Sequence, residues 1–200
     1  RLQGDWSSDV CSSDLSTPGV IPVALVLPGL LPDYRTPIIL KSAARELGEI
    51  RLGTRPGLLT VRARVRDANI VTNPTTPWAD SCIEVFGCAG ATKRGSYPWG
   101  ADVIRQVFLL PDSPATIITP TGIQPAPDVT VRTTRDAGGY ELEAEIPLTM
   151  LGATAADPRV MVNFTVNAVI DPGAMRRRAI AFGESIPNSD TTYYAAVEPQ

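Results

Sequence analysis

The residues best suited to chemistry lie in one short stretch, Pro77-Trp78-Ala79-Asp80-Ser81-Cys82-Ile83-Glu84-Val85-Phe86. A tryptophan ring beside carboxylates and a hydroxyl can stack on a flat ligand and hydrogen-bond its edge. The same ring serves equally as a cover for a core beneath a loop. After the proline-rich loop, Ile83 and Val85 face one way and Cys82, Glu84 and Phe86 the other, which predicts a short strand with Trp78 at its mouth.

Other chemistries are excluded by what is missing. The chain has no histidine, which removes Ser-His-Asp triads, Cys-His pairs and histidine-ligated zinc or haem. The three cysteines, Cys11, Cys82 and Cys88, form neither a CxxC nor a zinc spacing. Cys82 and Cys88 are read either as free buried thiols or as a pair. Glycoside hydrolysis needs two carboxyl groups about 5 to 9.5 Å apart across a cleft. Asp80 and Glu84 could be recruited on paper, but no pattern supports a cleft or a perturbed acid. The expectation is therefore no catalytic residue and no metal ligand. A calcium ion could use Asp80 and Glu84, but carboxylates hydrogen-bonded near a turn account for them as well. A net charge of −3 suggests no nucleic-acid surface. The longest apolar run, residues 19–31, is interrupted by Pro22 and Pro28 and is too short to span a bilayer.

The elements that must carry this stretch read as strands. Nineteen prolines and sixteen glycines in 200 residues favour short strands and many loops. Leu59, Val61, Ala63 and Val65 alternate with Thr60, Arg62, Arg64 and Arg66, a half-buried strand with a solvated basic face. Strand signals resume over residues 103–110, with Arg105 and Gln106 as the polar members, and again at 115–119. Residues 122–128 read as proline-rich loop. Val129 to Arg135 lead through Asp136-Ala137-Gly138-Gly139 into Tyr140, Leu142, Ala144 and Ile146, which alternate with Glu141, Glu143 and Glu145. Turn residues between two alternating runs predict a hairpin. Residues 148–151 predict one helical turn stopped by Gly152. Val160, Val162, Phe164, Val166 and Ala168 alternate with Met161, Asn163, Thr165 and Asn167, a strand with an amide-bearing face. Residues 192–197 read as the last strand. A short helix is expected over 41–47. The fold class is all-β: a single-domain antiparallel β-sandwich, jelly-roll-like.

At the N-terminus, Trp6-Ser7-Ser8-Asp9-Val10 is nearly repeated as Cys11-Ser12-Ser13-Asp14-Leu15. The run 4–15 resembles translated sequencing-adapter read-through. Residues 1–15 are accordingly set apart as an artefactual, disordered segment, and Trp6 and Cys11 receive no role.

Five motifs in order carry a resemblance. The Trp78 stretch resembles the "W…DS(V/I)E(V/I)F" signature of carbohydrate-binding module family 9, in the DOMON-like β-sandwich superfamily. Val61-Arg62-Ala63-Arg64-Val65-Arg66-Asp67 resembles that family's "V…V.D" strand. Gly138-Gly139-Tyr140-Glu141-Leu142-Glu143-Ala144-Glu145-Ile146-Pro147-Leu148 resembles its "GGY.(V/L)EA.IP" strand. Val162-Asn163-Phe164-Thr165-Val166-Asn167 resembles its "(I/V)GF…VN" strand. Asn188-Ser189-Asp190-Thr191-Thr192-Tyr193-Tyr194 resembles its closing "N..DT..(Y/F)G" element. The resemblance spans residues 55–197, with 16–54 as a poorly matched N-terminal part of the sandwich.

The resemblance implies a non-catalytic sugar-binding module, monomeric, without a cofactor, attached to a secreted polysaccharide-degrading or cell-surface bacterial protein. Its partner would be a mono- or oligosaccharide or a polysaccharide chain end. It also implies that two tryptophans sandwich the sugar and polar side chains read its hydroxyls. Trp78 matches the first tryptophan, Arg105 and Gln106 fall near the polar pair, and Asn167 fits the family's asparagine, although Ala168 stands where an aspartate is common. No tryptophan occurs near residues 188–190, and Trp99, Tyr97 or Tyr193 are the available replacements. Two other readings stay open. One is a ligand-free structural spacer. The other is a b-type haem domain of the related DOMON-like group, ligated through Met150, Met161, Met175, Lys41 or Lys93.

Overall fold

A computed structural model describes residues 37–42, 44–98, 102–171, 173, 176–183 and 187–197. The N-terminal segment 1–15, Trp99 and Met175 lie outside the described residues.

Two antiparallel sheets form the molecule. The first contains β1 (Ile38–Ser42), β2 (Arg45–Arg55), β3 (Leu58–Arg66), β8 (Thr130–Asp136) and β9 (Gly139–Pro147), in the order β1-β2-β3-β9-β8. The second contains β4 (Cys82–Ala89), β5 (Arg105–Leu109), β6 (Thr116–Thr119), β7 (Gly122–Pro125), β10 (Val160–Ala168), β11 (Arg177–Ile180) and β12 (Ala195–Val197). Its order is β11-β10-β4-β5-β6-β7, and β12 also pairs with β10. The expected β-sandwich is the observed fold.

The core lies between the sheets and follows from alternation. Leu59, Val61, Ala63 and Val65 of β3 and Tyr140, Leu142, Ala144 and Ile146 of β9 point inward. They meet Ile83 and Val85 of β4, Val107 and Leu109 of β5, and Val160, Val162, Phe164 and Val166 of β10. The outward residues of the first sheet are the charged set. Arg62 pairs with Glu143 at 3.4 Å, Arg64 with Asp136 at 3.4 Å and Arg66 with Glu46 at 3.6 Å, all solvated. Such pairs contribute about 0–1 kcal/mol each.

Several local expectations hold. β8 and β9 form the hairpin, and Gly139 adopts φ 147° where a Cβ would stand 1.9 Å from the Val65 carbonyl oxygen. The turn Leu148–Leu151 is a single 3₁₀ turn, ended by Gly152 at φ 105°. Cys82 and Cys88 are both free and buried. Six residues apart on one strand, their α-carbons are separated by roughly 20 Å, far beyond disulfide reach.

Two expectations are corrected. The described residues among 41–47 form no helix: they belong to the paired strands β1 and β2 and to Ala44, at φ 62° just before β2. Leu40 and Leu47 are both fully buried in the core, and that burial overrides the helical propensity of Ala, Arg, Glu and Leu. Residues 122–128 are not all loop, because Gly122–Pro125 pairs with β6. This is an edge strand, where proline costs no ladder hydrogen bond.

Candidate functional site

The outer face of the two central strands of the seven-stranded sheet, β4 and β10, is buried, while its flanks are partly open to solvent. On β4, Cys82, Glu84, Phe86 and Cys88 point away from the sandwich interior, yet none is more than 2% exposed. Register brings polar groups to them. On β10, Asn167 lies opposite Cys82, Thr165 opposite Glu84 and Asn163 opposite Phe86. On β5, Phe108 lies opposite Glu84 and Gln106 opposite Phe86. On β11, Arg178 lies opposite Asn167.

Four of these side chains converge. Glu84 Oε1 accepts from Asn167 Nδ2 at 2.7 Å and lies 3.1 Å from Arg178 Nη2. Glu84 Oε2 accepts from Gln106 Nε2 at 2.5 Å. Asn167 Oδ1 accepts from Arg178 Nε at 3.0 Å, which closes a ring of donors around one carboxylate. Asn167 Nδ2 also lies 3.2 Å from Cys82 Sγ. Burial pushes the Cys82 thiol well above its usual range, and the Glu84 charge adds to that. A buried carboxylate is tolerable here because a cation and two amides satisfy it. The Thr165 hydroxyl, on the residue opposite Glu84, is buried with no hydrogen-bond partner among the described residues.

Trp78 sits at the rim of this cluster. Pro77 starts the 3₁₀ turn Pro77–Ala79, where its fixed φ suits the first helical position. The half-buried indole packs on Phe108 with ring centroids 6.1 Å apart and a 48° tilt. Cys82, Leu110 and Ile118 complete that apolar patch. A second patch lies at the other end of β4, where Phe86, Cys88, Met161 and Tyr194 pack together with Ile104. The polar cluster therefore lies between two apolar patches, with an aromatic ring at one end.

The sequence-derived candidates divide by strand phase. Gln106 and Asn167 meet at Glu84. Arg105 lies opposite Gly87, one residue out of phase with Gln106, so the two do not share a face as a pair. Trp99 lies outside the described residues. Asn163 is occupied in holding the chain after β11: its Nδ2 donates to the Phe182 carbonyl at 2.8 Å and its Oδ1 accepts the Phe182 N–H at 3.2 Å. Sequence reasoning missed Arg178. Its signal lies in the run Arg176-Arg177-Arg178, in which alternation on a strand sends the first and third side chains to the same side.

The late loop that closes the chain is clasped by the loop after β4. Ser96 and Asp190 form an antiparallel bridge, the Tyr97 N–H donates to Ser189 O at 2.7 Å, and the Thr191 N–H donates to Gly95 O at 3.0 Å. The Tyr97 hydroxyl is tied to Lys93 O at 2.5 Å, whereas Tyr193 is 42% exposed. Of the methionines considered as haem ligands, Met161 belongs to the outer apolar patch and Met150 packs against the core between the sheets.

The family model for carbohydrate family 9 binding domain-like proteins matches residues 40–198. The chain belongs to this family. It is a non-catalytic carbohydrate-binding domain, and the match includes most of the β1–β2 hairpin. Two solved family 9 modules from Caldicellulosiruptor kristjanssonii are similar in fold. One, in complex with cellotriose, is 17% identical with a TM-score of 0.60, covering 82% of this chain and 80% of that chain. The other, in complex with glucose, is also 17% identical with a TM-score of 0.62, covering 90% of this chain and 91% of that chain. No curated protein matches the chain.

Proposed function

We propose that this family 9 domain binds the end of a sugar chain on the outer face of the seven-stranded sheet. The observation that carries the reading is the convergence of Gln106, Asn167 and Arg178 on the buried Glu84, next to Trp78. Trp78 offers an apolar ring to a pyranose face. The carboxylate accepts from sugar hydroxyls, while the amides and the guanidinium donate to them.

Charge-assisted hydrogen bonds contribute about 1.5–3 kcal/mol each when satisfied. A single stacking ring adds about 0.5–1.5 kcal/mol. Binding is proposed to need neither metal nor haem.

The similar modules are in complex with cellotriose and glucose, which suggests a glucose-based ligand here. The setting proposed is a monomeric module of an extracellular bacterial protein that degrades or adheres to polysaccharide. Among the described residues, no helix is long and apolar enough to cross a membrane.

A second reading, a spacer that binds nothing, is favoured by one observation: Glu84 is only 2% exposed, with both oxygens already paired. Calorimetry separates the two. Glucose, cellobiose and cellotriose titrated into the protein should give saturable heat that is lost in Trp78→Ala and in Glu84→Gln. Folded protein that gives no heat with any of these, or with xylobiose or galactose, leaves the spacer.

A further inference from the structure

The loop that carries Trp78 is closed at its base by a buried knot. Ser81 Oγ, fully buried, donates to Asp67 Oδ2 at 2.7 Å and accepts from the Val71 N–H at 3.0 Å and from Arg176 Nη1 at 3.0 Å. That saturates the hydroxyl, which has one proton and two lone pairs. Asp67 Oδ1 accepts the N–H groups of Asn69 at 3.0 Å and Val169 at 3.2 Å. Arg176 lies 3.4 Å from Asp67 Oδ2, and its Nη2 donates to Asn69 O at 3.3 Å. The side chains of Asp67 and Arg176 are 0% and 17% exposed. Both ends of the loop, Asp67 and Ser81, are thus fastened to one guanidinium.

Two residues further on, Arg178 is fastened to Glu84. Arg176 and Arg178 are separated by roughly 6.6 Å of extended chain. One short segment therefore grips the loop that presents the stacking ring and also grips the carboxylate that reads hydroxyls.

We propose that Arg176 is a positioning residue for carbohydrate binding. It touches no sugar; it holds the Trp78 loop in place relative to Glu84 before the ligand arrives. This rests on the binding site proposed above and adds its preorganisation. A site already ordered loses no binding energy to the ordering of a loop.

The obvious variant, Arg176→Met, leaves the buried Asp67 carboxylate without its cation and could unfold the protein. Two variants avoid that. Ser81→Ala opens the knot with the ion pair kept. Asp67→Asn combined with Arg176→Met removes both charges together. Amide hydrogen exchange and calorimetry with cellobiose are run on the full chain. The expected result in both variants is exchange about tenfold faster across 68–80, with β3 and β9 unchanged, and cellobiose affinity about tenfold weaker. Saturating cellobiose should return the 68–80 exchange to near the wild-type rate, since the bound ligand then orders the loop. A merely structural role would speed exchange in β3 and β9 as well, and sugar would not restore the loop selectively. The proposal is overturned if exchange across 68–80 stays at the wild-type rate, or if affinity is unchanged. Wild-type protein that takes up no sugar overturns the binding reading, and with it any positioning for sugar. The exchange arm separates the cases, because it reads the hold on the loop without any ligand.

Discussion

The Arg178 guanidinium stands 3.1 Å from the Glu84 carboxylate, reaching it across β10 from the sheet edge. Arg178 keeps 24% of its side chain exposed and Glu84 only 2%. The pair is therefore one-sided: a buried anion held by a cation with access to water. Such an arrangement presents a fixed charge beneath an apolar rim, which suits a ligand that brings its own hydroxyls.

Glu84→Gln keeps the shape and removes the charge. Arg178 can then turn to solvent, so the protein should still fold, with a stability loss of about 1–3 kcal/mol. Cellobiose binding should fall below detection. Urea unfolding and calorimetry check the two halves; retained sugar binding would remove Glu84 from the site.

Trp78 is half-buried and rests on Phe108. Trp78→Phe should keep a smaller stacking face and bind about tenfold more weakly, while Trp78→Ala should lose binding and about 1–2 kcal/mol of stability. A large stability loss with sugar affinity intact in the Phe variant would make the indole a cover for the core.

Alkaline stability reports on the outer apolar patch. Burial pushes the Cys88 thiol up from 9.0 to about 11. A raised value means that the folded state holds the proton more tightly than the unfolded one. The contribution is therefore complete below about pH 9 and is lost as pH rises through about 11. Cys82 and the buried Tyr140 phenol shift in the same direction. Urea unfolding across pH 7 to 11 should show a decline that is shallower in Cys88→Ala; equal slopes would contradict the burial argument. Neither thiol should react with a bulky disulfide reagent at pH 8 until the protein unfolds.

The charged face of the five-stranded sheet should be indifferent to sugar. Arg62 lies 3.4 and 3.9 Å from Glu143 and Glu141, all half-exposed. Arg62→Ala should change stability by less than about 0.5 kcal/mol and leave cellobiose affinity within twofold. A larger effect on affinity would place a contact on the wrong face.

Alternation was enough to determine the strands that build both sides of the site. Ile83 and Val85 against Cys82 and Glu84, or Val162 and Phe164 against Asn163 and Asn167, already state which side chains travel together. The β8–β9 hairpin and the stop at Gly152 were equally legible, because turn chemistry is local. Gln106 and Asn167 could be named as polar members of apolar strands for the same reason.

Only the tertiary structure decided the rest. It paired Ile38–Ser42 with Arg45–Arg55 in a hairpin that buries Leu40 and Leu47, and added Gly122–Pro125 to a sheet edge. It brought Arg178 to Glu84 and Arg176 to the base of the Trp78 loop. It also covered the outer face of β4 and β10, so that a row read as half-polar became a buried network. Period-two patterning specifies which residues share a face, whereas the pairing of strands distant in sequence and the loops that settle over them specify which polar groups meet and how far water is kept out.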